Sequence, residues 1–332
     1  MKKAQNILIV GFGDIGKRVA LKLRRCRHYR VTALIRNAST LARDPKAARS
    51  FGVQVLRGDL SGVRSLQKLP GRSDTILHFA PPPGSGKSDT NTEHLLSALC
   101  AVRDSAARAS QRSAVSRPPM LPRRIVYIST TGVYGNCHGE CINESRKLKP
   151  ESERAKRRVD AERQLKKWGR LNAVAITILR APGIYAEDRL PLDRLKQQTP
   201  VLVAADDVYT NHIHAEDLAA AVVKAIQQRR PKLFRVFNVV DDSQLKMGDY
   251  FDQVADAFGL TRPPRIRRWD AEHRIAPMLL SFMRESRRIG NARIKRELKF
   301  ELTYPTFASA MSDMQARIRA VRASVRGETR PL

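Results

Sequence analysis

The sequence predicts an α/β fold in which a doubly wound parallel sheet carries a smaller, interleaved C-terminal region. Three observations lead to this fold class. Short apolar runs with the length and branching of buried strands recur through the first 180 residues, separated by amphipathic stretches. The first run leads directly into three closely spaced glycines. A chain of 332 residues, 42% of them hydrophobic, is also long enough to bury a substantial core.

The first strand is predicted at residues 7–10, and an amphipathic helix follows through Val19 and Leu23. Between them lies the segment GFGDIG, residues 11–16. In the dinucleotide-binding pattern G-x-G-x-x-G, the three glycines allow a tight turn, the approach of a pyrophosphate, and close packing of helix on strand. Free N–H groups at the helix N-terminus would then hold the phosphates. We therefore predict a Rossmann cofactor site that includes Gly11, Phe12, Gly13, Asp14, Ile15 and Gly16.

The second strand, predicted at residues 31–36, ends in Arg36. At this spacing after the glycines, NAD-binding proteins use an acidic residue to hold the ribose 2′-hydroxyl, whereas an arginine suits a 2′-phosphate. The chain has many other arginines, so Arg36 favours NADP over NAD only slightly.

The third and fourth strands are predicted at residues 53–56 and 75–79. Open parallel sheets bind ligands at the carboxyl ends of their strands. We expect Asp59 to accept a hydrogen bond from the adenine amino group and Leu60 to pack on the ring. Ala80, at the end of the fourth strand, completes the predicted cofactor site.

The loop after the fourth strand resembles an ATP-binding P-loop at residues 84–88, GSGKS. The P-loop pattern requires a glycine five residues before Gly86, where this chain has Pro81. Three consecutive prolines also lack the N–H groups that cradle phosphate. We interpret the segment as a loop passing over the nicotinamide half of a dinucleotide.

The remaining elements complete the predicted architecture. An NAD(P)-binding Rossmann domain is predicted at residues 1–180, and a smaller substrate-binding region, with elements that return to the main sheet, at residues 181–332. Strands are predicted at 124–129 and 234–240, a proline-rich connection at 116–122, and helical segments at 90–112, 215–228, 247–258 closed by Gly259, 289–298 and 307–324.

Several segments in succession resemble the extended short-chain dehydrogenase/reductase superfamily, the NAD-dependent epimerase/dehydratase family. The resemblance extends from about residue 5 to about residue 310 and is closest to an atypical branch with GxGxxG in the glycine loop. It implies an NAD(P)-dependent oxidoreductase or epimerase. The segments are the glycine loop, GDL at 58–60, HFA at 78–80, STTGVYG at 129–135, LRAPGIY at 179–185 and NHIHAEDLA at 211–219.

The resemblance implies a catalytic tyrosine, a lysine four residues later that lowers the pKa of that tyrosine, and a Ser or Thr that binds the substrate oxygen. The Ser or Thr corresponds to Thr130. Glu162 matches a family glutamate four residues after the lysine, which places Arg158 at the lysine position and Arg154 at the tyrosine position. A guanidinium, with a pKa above about 12, cannot shuttle protons, so the general acid is missing.

Two further candidates follow from this substitution. Arg158 can still hold a ribose or phosphate, and Tyr134 is the nearest alternative phenol, although a packing role suits it better. The candidate catalytic residues are therefore Thr130, Tyr134 and Arg158. No metal site is predicted, because Cys137, His138 and Cys141 offer three ligands on one short loop without a partner pair.

The net charge of +30 produces a field that attracts phosphates, nucleic acids and anionic membranes. The basic residues are spread along the chain, and the aromatic residues, at 6%, do not interleave with them. We interpret the charge chiefly as a solvated surface. No apolar run approaches the about 20 residues of a membrane span, and four cysteines do not make a disulfide framework, so we expect a cytoplasmic protein with no membrane partner.

We expect an NAD(P)-binding, epimerase- or dehydratase-like oxidoreductase that acts on a small anionic, sugar-nucleotide-like substrate. The oligomer that we consider is a homodimer. Basic side chains near the cleft would suit such a substrate. The alternatives are a non-catalytic dinucleotide-binding sensor or assembly protein and, less favoured, a nucleic-acid-binding protein. Six C-terminal arginines are expected either near the cleft or on the surface: Arg262, Arg265, Arg267, Arg268, Arg287 and Arg288.

Overall fold

The computed structural model describes residues 4–26, 28–36, 45–67, 69, 71, 73–110 and 121–327, with the side chains at 45, 47, 101–110, 278 and 318–327 excepted. These residues form fifteen strands: β1 (Gln5–Val10), β2 (Tyr29–Ile35), β3 (Val53–Arg57), β4 (Thr75–His78), β5 (Arg124–Thr130), β6 (Cys141–Ile142), β7 (Ala175–Ala181), β8 (Gly183–Tyr185), β9 (Val201–Leu202), β10 (Tyr209–Thr210), β11 (His212–His214), β12 (Phe234–Asn238), β13 (Leu245–Lys246), β14 (Arg265–Ile266) and β15 (Arg288–Ile289).

The same described residues form eleven α-helices and three short 3₁₀ turns. The helices are α1 (Asp14–Arg24), α2 (Pro45–Ser50), α3 (Thr90–Ser110), α4 (Glu153–Leu171), α5 (Leu192–Lys196), α6 (Ala215–Gln227), α7 (Met247–Phe258), α8 (Arg268–Arg274), α9 (Pro277–Phe282), α10 (Ala292–Leu298) and α11 (Phe307–Gly327). The 3₁₀ turns are Val63–Leu66, Thr131–Tyr134 and Glu187–Arg189.

Seven strands form one parallel sheet in the order β12–β7–β5–β4–β1–β2–β3. Strand β1 pairs with both β2 and β4, so the order of the sheet reverses beside it. Ligands of open α/β sheets bind outside the carboxyl ends of the strands at such a reversal. The predicted doubly wound α/β fold is confirmed.

Apolar layers cover both faces of the sheet, because successive side chains of a strand point to opposite faces. Ile7 and Ile9 belong to one layer, whereas Leu8 and Val10 belong to the other. Helices α1 and α6 contribute to the first layer, and α3 and α4 contribute to the second. A strand covered on both faces has a continuous apolar sequence, which is why residues 7–10 could be recognised as a strand.

The second part of the chain is built largely from very short strand pairs. Parallel pairs join β8 to β11, β9 to β14 and β6 to β15, and an antiparallel pair joins β10 to β13. Their small core includes Tyr185, Phe251 and Phe307. The predicted return to the main sheet is confirmed, because β12 pairs with β7. The division of the chain at residue 180 stays a prediction.

Most predicted elements are observed within a few residues of their expected bounds. Helix α7 ends at Phe258 and is capped by Gly259, whose φ of +64° lies in the left-handed region that favours glycine. The segment predicted as amphipathic at 289–298 instead begins with the end of β15, and its helix starts only at Ala292. The proline-rich connection predicted at 116–122 lies mostly outside the described residues. In the described part of the chain, no helix combines the length and apolar character needed to span a membrane.

Candidate functional site

A cleft of about 690 Å³ opens at the carboxyl ends of β1 and β4, and we call it the glycine cleft. Gly11, with a φ of +97°, turns the chain where the two strand ends meet, and a Cβ on it would lie 2.4 Å from Ala80 N. A Cβ on Gly16 would lie 2.8 Å from Gly11 O, so this glycine lets α1 pack on the turn. Gly13 differs from both, because no protein atom lies within 4 Å of its Cβ position. Its backbone is therefore open to a ligand.

Seven of the ten predicted cofactor residues line this cleft, whereas Asp14, Ile15 and Gly16 do not. Ile15 packs in the apolar core below it. The first hydrogen bond of α1 runs from Lys17 N to Gly13 O, so the N–H groups of the preceding residues are the unpaired first turn of the helix. The lining predicted residues are Gly11, Phe12, Gly13, Arg36, Asp59, Leu60 and Ala80.

The far end of the glycine cleft is formed by the ends of β2 and β3. The exposed side chain of Arg36 follows β2 directly. The Asp59 carboxylate accepts a hydrogen bond from the N–H of Ser61 at 2.9 Å, and its own N–H donates to Ser65 Oγ at 2.9 Å. These bonds hold the turn in place, with Asp59 and Leu60 at the cleft wall.

The proline-rich loop borders the same cleft through residues 81–84. Arg157, a buried residue of α4, donates from Nη1 to Gly86 O at 2.8 Å and from Nη2 to Gly84 O at 3.2 Å. Asn91 Nδ2 donates to Pro81 O at 2.9 Å. The loop is thus fixed at both ends beside the cleft.

A second cleft, of about 450 Å³, lies between the end of β5, the start of α4 and the C-terminal part of the chain. We call it the arginine cleft, because five arginines line it and Glu285 is the acidic residue in its lining. Glu285 Oε2 lies 2.6 Å from Arg287 Nη1, which leaves four guanidinium groups without a carboxylate in the lining. The lining arginines are Arg154, Arg158, Arg189, Arg194 and Arg287.

Helix α4 presents two of these arginines. Its start is fixed by Ser152, whose Oγ accepts a hydrogen bond from Ala155 N at 3.2 Å. The four-residue spacing of Arg154, Arg158 and Glu162 places all three on one side of the helix. Glu162 is buried against the sheet, and the two arginines line the cleft further along the same side.

Arg158 and Arg154 have different partners. Arg158 Nη1 donates to Tyr127 OH at 2.8 Å and to Ile128 O at 2.9 Å, so this guanidinium is tied to the sheet. Arg154 places its guanidinium carbon 4.8 Å from the ring centroid of Phe282. A stacked guanidinium keeps its N–H donors for another partner, so Arg154 is suited to binding an anion.

The structure places two of the three predicted catalytic residues, Thr130 and Arg158, in the arginine cleft and the third, Tyr134, outside its lining. Thr130 lines the arginine cleft with Arg158, and its Oγ1 accepts a hydrogen bond from Gly132 N at 3.2 Å. Tyr134 is 1% exposed, donates to Asn238 Oδ1 at 2.7 Å and accepts from Arg180 Nη1 at 2.9 Å. Burial raises the pKa of this phenol. Tyr134 is therefore buried and outside the lining of the arginine cleft, an environment that fits the packing role better than proton transfer.

Sequence reasoning did not place Arg194 or His212 in the arginine cleft. Arg194 Nε and Nη2 are buried and have no hydrogen-bond partner among the described residues, and its guanidinium carbon lies 4.4 Å from the Phe251 ring centroid. His212 stacks on Tyr250 with ring centroids 4.0 Å apart, and burial lowers the pKa of His212 to about 3. The imidazole that faces the cleft is thus neutral near pH 7. No sequence periodicity marks these positions.

Of the six C-terminal arginines considered for the cleft, only Arg287 lines it. Arg262 and Arg265 form ion pairs with Asp256 and Asp252, respectively. Arg288 donates from Nε to Gly139 O at 2.8 Å. The two others, Arg267 and Arg268, lie at a shallow, open surface pocket. Arg287 is thus at the cleft, and the other five lie outside its lining.

Comparison with known proteins agrees with this architecture. A functionally unknown conserved protein from Silicibacter pomeroyi DSS is 27% identical, with a TM-score of 0.72 over 95% of this chain and 99% of the other. UDP-glucuronic acid 4-epimerase from Bacillus cereus, in complex with UDP-glucuronic acid and NAD, is 17% identical, with a TM-score of 0.70 over 95% and 99%.

UDP-N-acetylglucosamine 4-epimerase from Bacillus cereus is 18% identical, with a TM-score of 0.66 over 95% of this chain and 100% of the other. At 17% and 18% identity, the similarity to these two epimerases shows a shared fold. No curated protein sequence matches it. The sequence pattern of the NAD dependent epimerase/dehydratase family matches residues 7–239. The glycine loop, the parallel sheet from Ile7 onward and the arginine-cleft lining as far as His212 lie within this match. The chain belongs to the NAD dependent epimerase/dehydratase family.

Proposed function

We propose that the chain binds NAD(P) in the glycine cleft and a small anionic substrate in the arginine cleft, and that it acts as an epimerase- or reductase-like oxidoreductase. The observation that carries the proposal is the open Cβ position of Gly13 at the reversal point of the sheet. Gly11 and Gly16 have packing reasons to be glycine, whereas no protein atom crowds Gly13. A pyrophosphate approaching the unpaired N–H groups of α1 requires that space.

The residues of the glycine cleft suit a dinucleotide along its length. Asp59 and Leu60 would hold the adenine, and Arg36 a 2′-phosphate. The pyrophosphate would be held by the N–H groups of Asp14 and Ile15, in the unpaired first turn of α1 next to the cleft. Bound NAD(P) would supply the hydride acceptor or donor. We favour NADP slightly over NAD, because Arg36 follows β2 where NAD-binding proteins place a carboxylate.

The arginine cleft supports an anionic substrate. Guanidinium groups bind phosphate and carboxylate oxygens in pairs, and this cleft offers several with few carboxylates to neutralise them. The structurally similar epimerase from Bacillus cereus was solved with UDP-glucuronic acid, a sugar nucleotide. We propose a sugar nucleotide or a similar phosphorylated compound as substrate, with Thr130 and Arg158 contacting the substrate or the nicotinamide ribose.

A second function is favoured by the residues at the start of α4. The resemblance implies a tyrosine where Arg154 stacks on Phe282, and Tyr134 is buried away from the cleft. A chain without a phenol at that position would bind the dinucleotide without turning over a substrate, as a sensor or assembly protein does. This alternative shares the cofactor site and differs only in the chemistry.

Calorimetric titration of the wild type and Gly13→Asp with NADPH and NADH tests the cofactor site. We expect micromolar binding by the wild type and at least about 100-fold weaker binding by Gly13→Asp, because the new carboxylate enters the place of the pyrophosphate. Gly62→Asp is the matched control. Its Cβ position is also free of protein atoms, and it does not line the glycine cleft. No binding of either cofactor by the wild type would refute the proposal.

Turnover separates the two functions. The protein loaded with NADP or NAD is incubated with sugar nucleotides, and the protein loaded with NADPH or NADH is incubated with carbonyl compounds. The absorbance of the reduced nicotinamide is followed, and sugar products are resolved by chromatography. Conversion of any compound, lost in Thr130→Val, supports the enzyme. Tight cofactor binding with no conversion across the panel supports the sensor.

A further inference from the structure

One side chain links the two clefts. Arg189 ends the 3₁₀ turn Glu187–Arg189 and lines the arginine cleft. Its Nη1 also lies 3.1 Å from Asp14 Oδ2, at the first residue of α1 and next to Gly13 of the glycine cleft. A residue from the C-terminal part of the chain thus reaches the helix end that faces the proposed pyrophosphate position.

Arg18 also contacts Asp14, and its guanidinium is held much more firmly than that of Arg189. Arg18 Nε lies 2.9 Å from Asp14 Oδ1, and Arg18 Nη1 lies 2.7 Å from Glu216 Oε1. The Arg18 side chain is 21% exposed, whereas that of Arg189 is 37% exposed. Among the described residues, Asp14 is the ion-pair partner of Arg189. Arg189 is therefore the guanidinium that can change partner at low cost.

We propose that Arg189 leaves the Asp14 carboxylate when a dinucleotide binds and takes the pyrophosphate as its partner. This inference rests on the proposed cofactor site. A pyrophosphate carries more charge than a carboxylate and offers oxygens to both arms of the guanidinium, so it is the stronger partner. Asp14 opposes binding because its carboxylate competes with the pyrophosphate for Arg189. The exchange draws the turn 187–189, and with it one wall of the arginine cleft, toward the bound cofactor.

The test uses calorimetric titration of the full chain with ADP-ribose, which has the pyrophosphate, and with AMP, which lacks it. We expect Arg189→Ala to bind ADP-ribose about tenfold more weakly and AMP within about threefold of the wild type. Arg189→Lys keeps the charge without the paired donors, so its affinity for ADP-ribose should lie between those of the wild type and Arg189→Ala. Asp14→Asn should bind ADP-ribose about threefold more tightly, and that gain should vanish in the double variant Asp14→Asn/Arg189→Ala.

Arg317→Ala is the matched control. Arg317 is exposed and lies 3.3 Å from Glu187 of the same turn, so the variant removes an equal charge nearby without touching α1. It should bind ADP-ribose within about twofold of the wild type. Wild-type affinity in Arg189→Ala, or an equal loss in Arg317→Ala, would overturn the inference while leaving the cofactor site intact. A wild type that binds no ADP-ribose would refute the cofactor site as well.

Discussion

Glu162 and Arg180 form a buried, two-bond ion pair between α4 and β7. Arg180 Nη2 lies 2.6 Å from Glu162 Oε2, and Arg180 Nε lies 3.1 Å from Glu162 Oε1. Ser129 Oγ donates to the same carboxylate at 2.6 Å. Burial alone lowers the pKa of Arg180, but Glu162 outweighs it, so the pKa is raised overall. The pair fixes the rotation of α4 and therefore the face that carries Arg154 and Arg158.

Glu162→Gln should lower the free energy of unfolding by about 3–5 kcal/mol, because it leaves a buried guanidinium without its counter-charge. Denaturant titration measures this change. Glu153→Gln, at the exposed start of the same helix, removes a solvent-screened ion pair with Lys156 and should change the stability much less. Equal losses in the two variants would show that the buried pair does not hold the helix.

Arg36→Ala should weaken NADPH binding by about 10- to 100-fold and leave NADH binding within about twofold. A charge-assisted hydrogen bond to a 2′-phosphate contributes about 1.5–3 kcal/mol, and NADH has no phosphate there. Calorimetric titration with both cofactors measures the ratio. Arg57→Ala, at the end of the neighbouring strand β3 and outside the cleft lining, controls for the loss of one positive charge. Parallel losses for NADPH and NADH would contradict a 2′-phosphate role.

His212 should make the folded chain less stable in acid. Burial lowers its pKa to about 3 from the ordinary 6.5, so the unfolded chain binds a proton that the folded chain rejects. His212 does not affect the stability above about pH 6.5. The folded chain loses stability as the pH falls from there towards 3. The loss is about 1.4 kcal/mol per pH unit. His212→Phe, which keeps an aromatic ring against Tyr250, should remove that slope.

The unfolding free energies of the wild type and His212→Phe are measured from about pH 8 to about pH 4. The quantity of interest is the difference between the two at each pH. Burial raises the pKa of Asp241 to about 7, which gives the opposite slope between about pH 4 and pH 7. That contribution is common to both proteins and cancels. A difference that stays constant across the whole range would show that His212 takes up a proton in the folded chain.

The main sheet could be predicted because its signals are local. A buried parallel strand such as β1 has a continuous apolar run, and the spacing of Gly11, Gly13 and Gly16 reflects contacts within one turn and one helix. The seven predicted residues of the glycine cleft follow the ends of just four strands. Their positions needed no knowledge of distant pairings.

The arginine cleft could not be predicted in the same way. Its walls depend on two-residue strands, which are too short for any periodicity, and on pairings such as Cys141 with Arg288 between distant segments. Tyr134 shows the same limit. Its V-Y-G segment suggested a phenol near the site, but Arg180 and Asn238, far along the chain, bury its hydroxyl.

The loop beside the glycine cleft has a thermodynamic consequence for binding. Pro81, Pro82 and Pro83 have φ angles fixed by their rings, and Arg157 and Asn91 hold the carbonyls around them. A loop restricted in this way has little conformational entropy left to lose when a ligand arrives. The wall of the cleft is preorganised before binding. Ordering of that loop should therefore contribute little to the cofactor affinity of this chain. Any movement measured on cofactor binding should come from the wall of the glycine cleft opposite the loop.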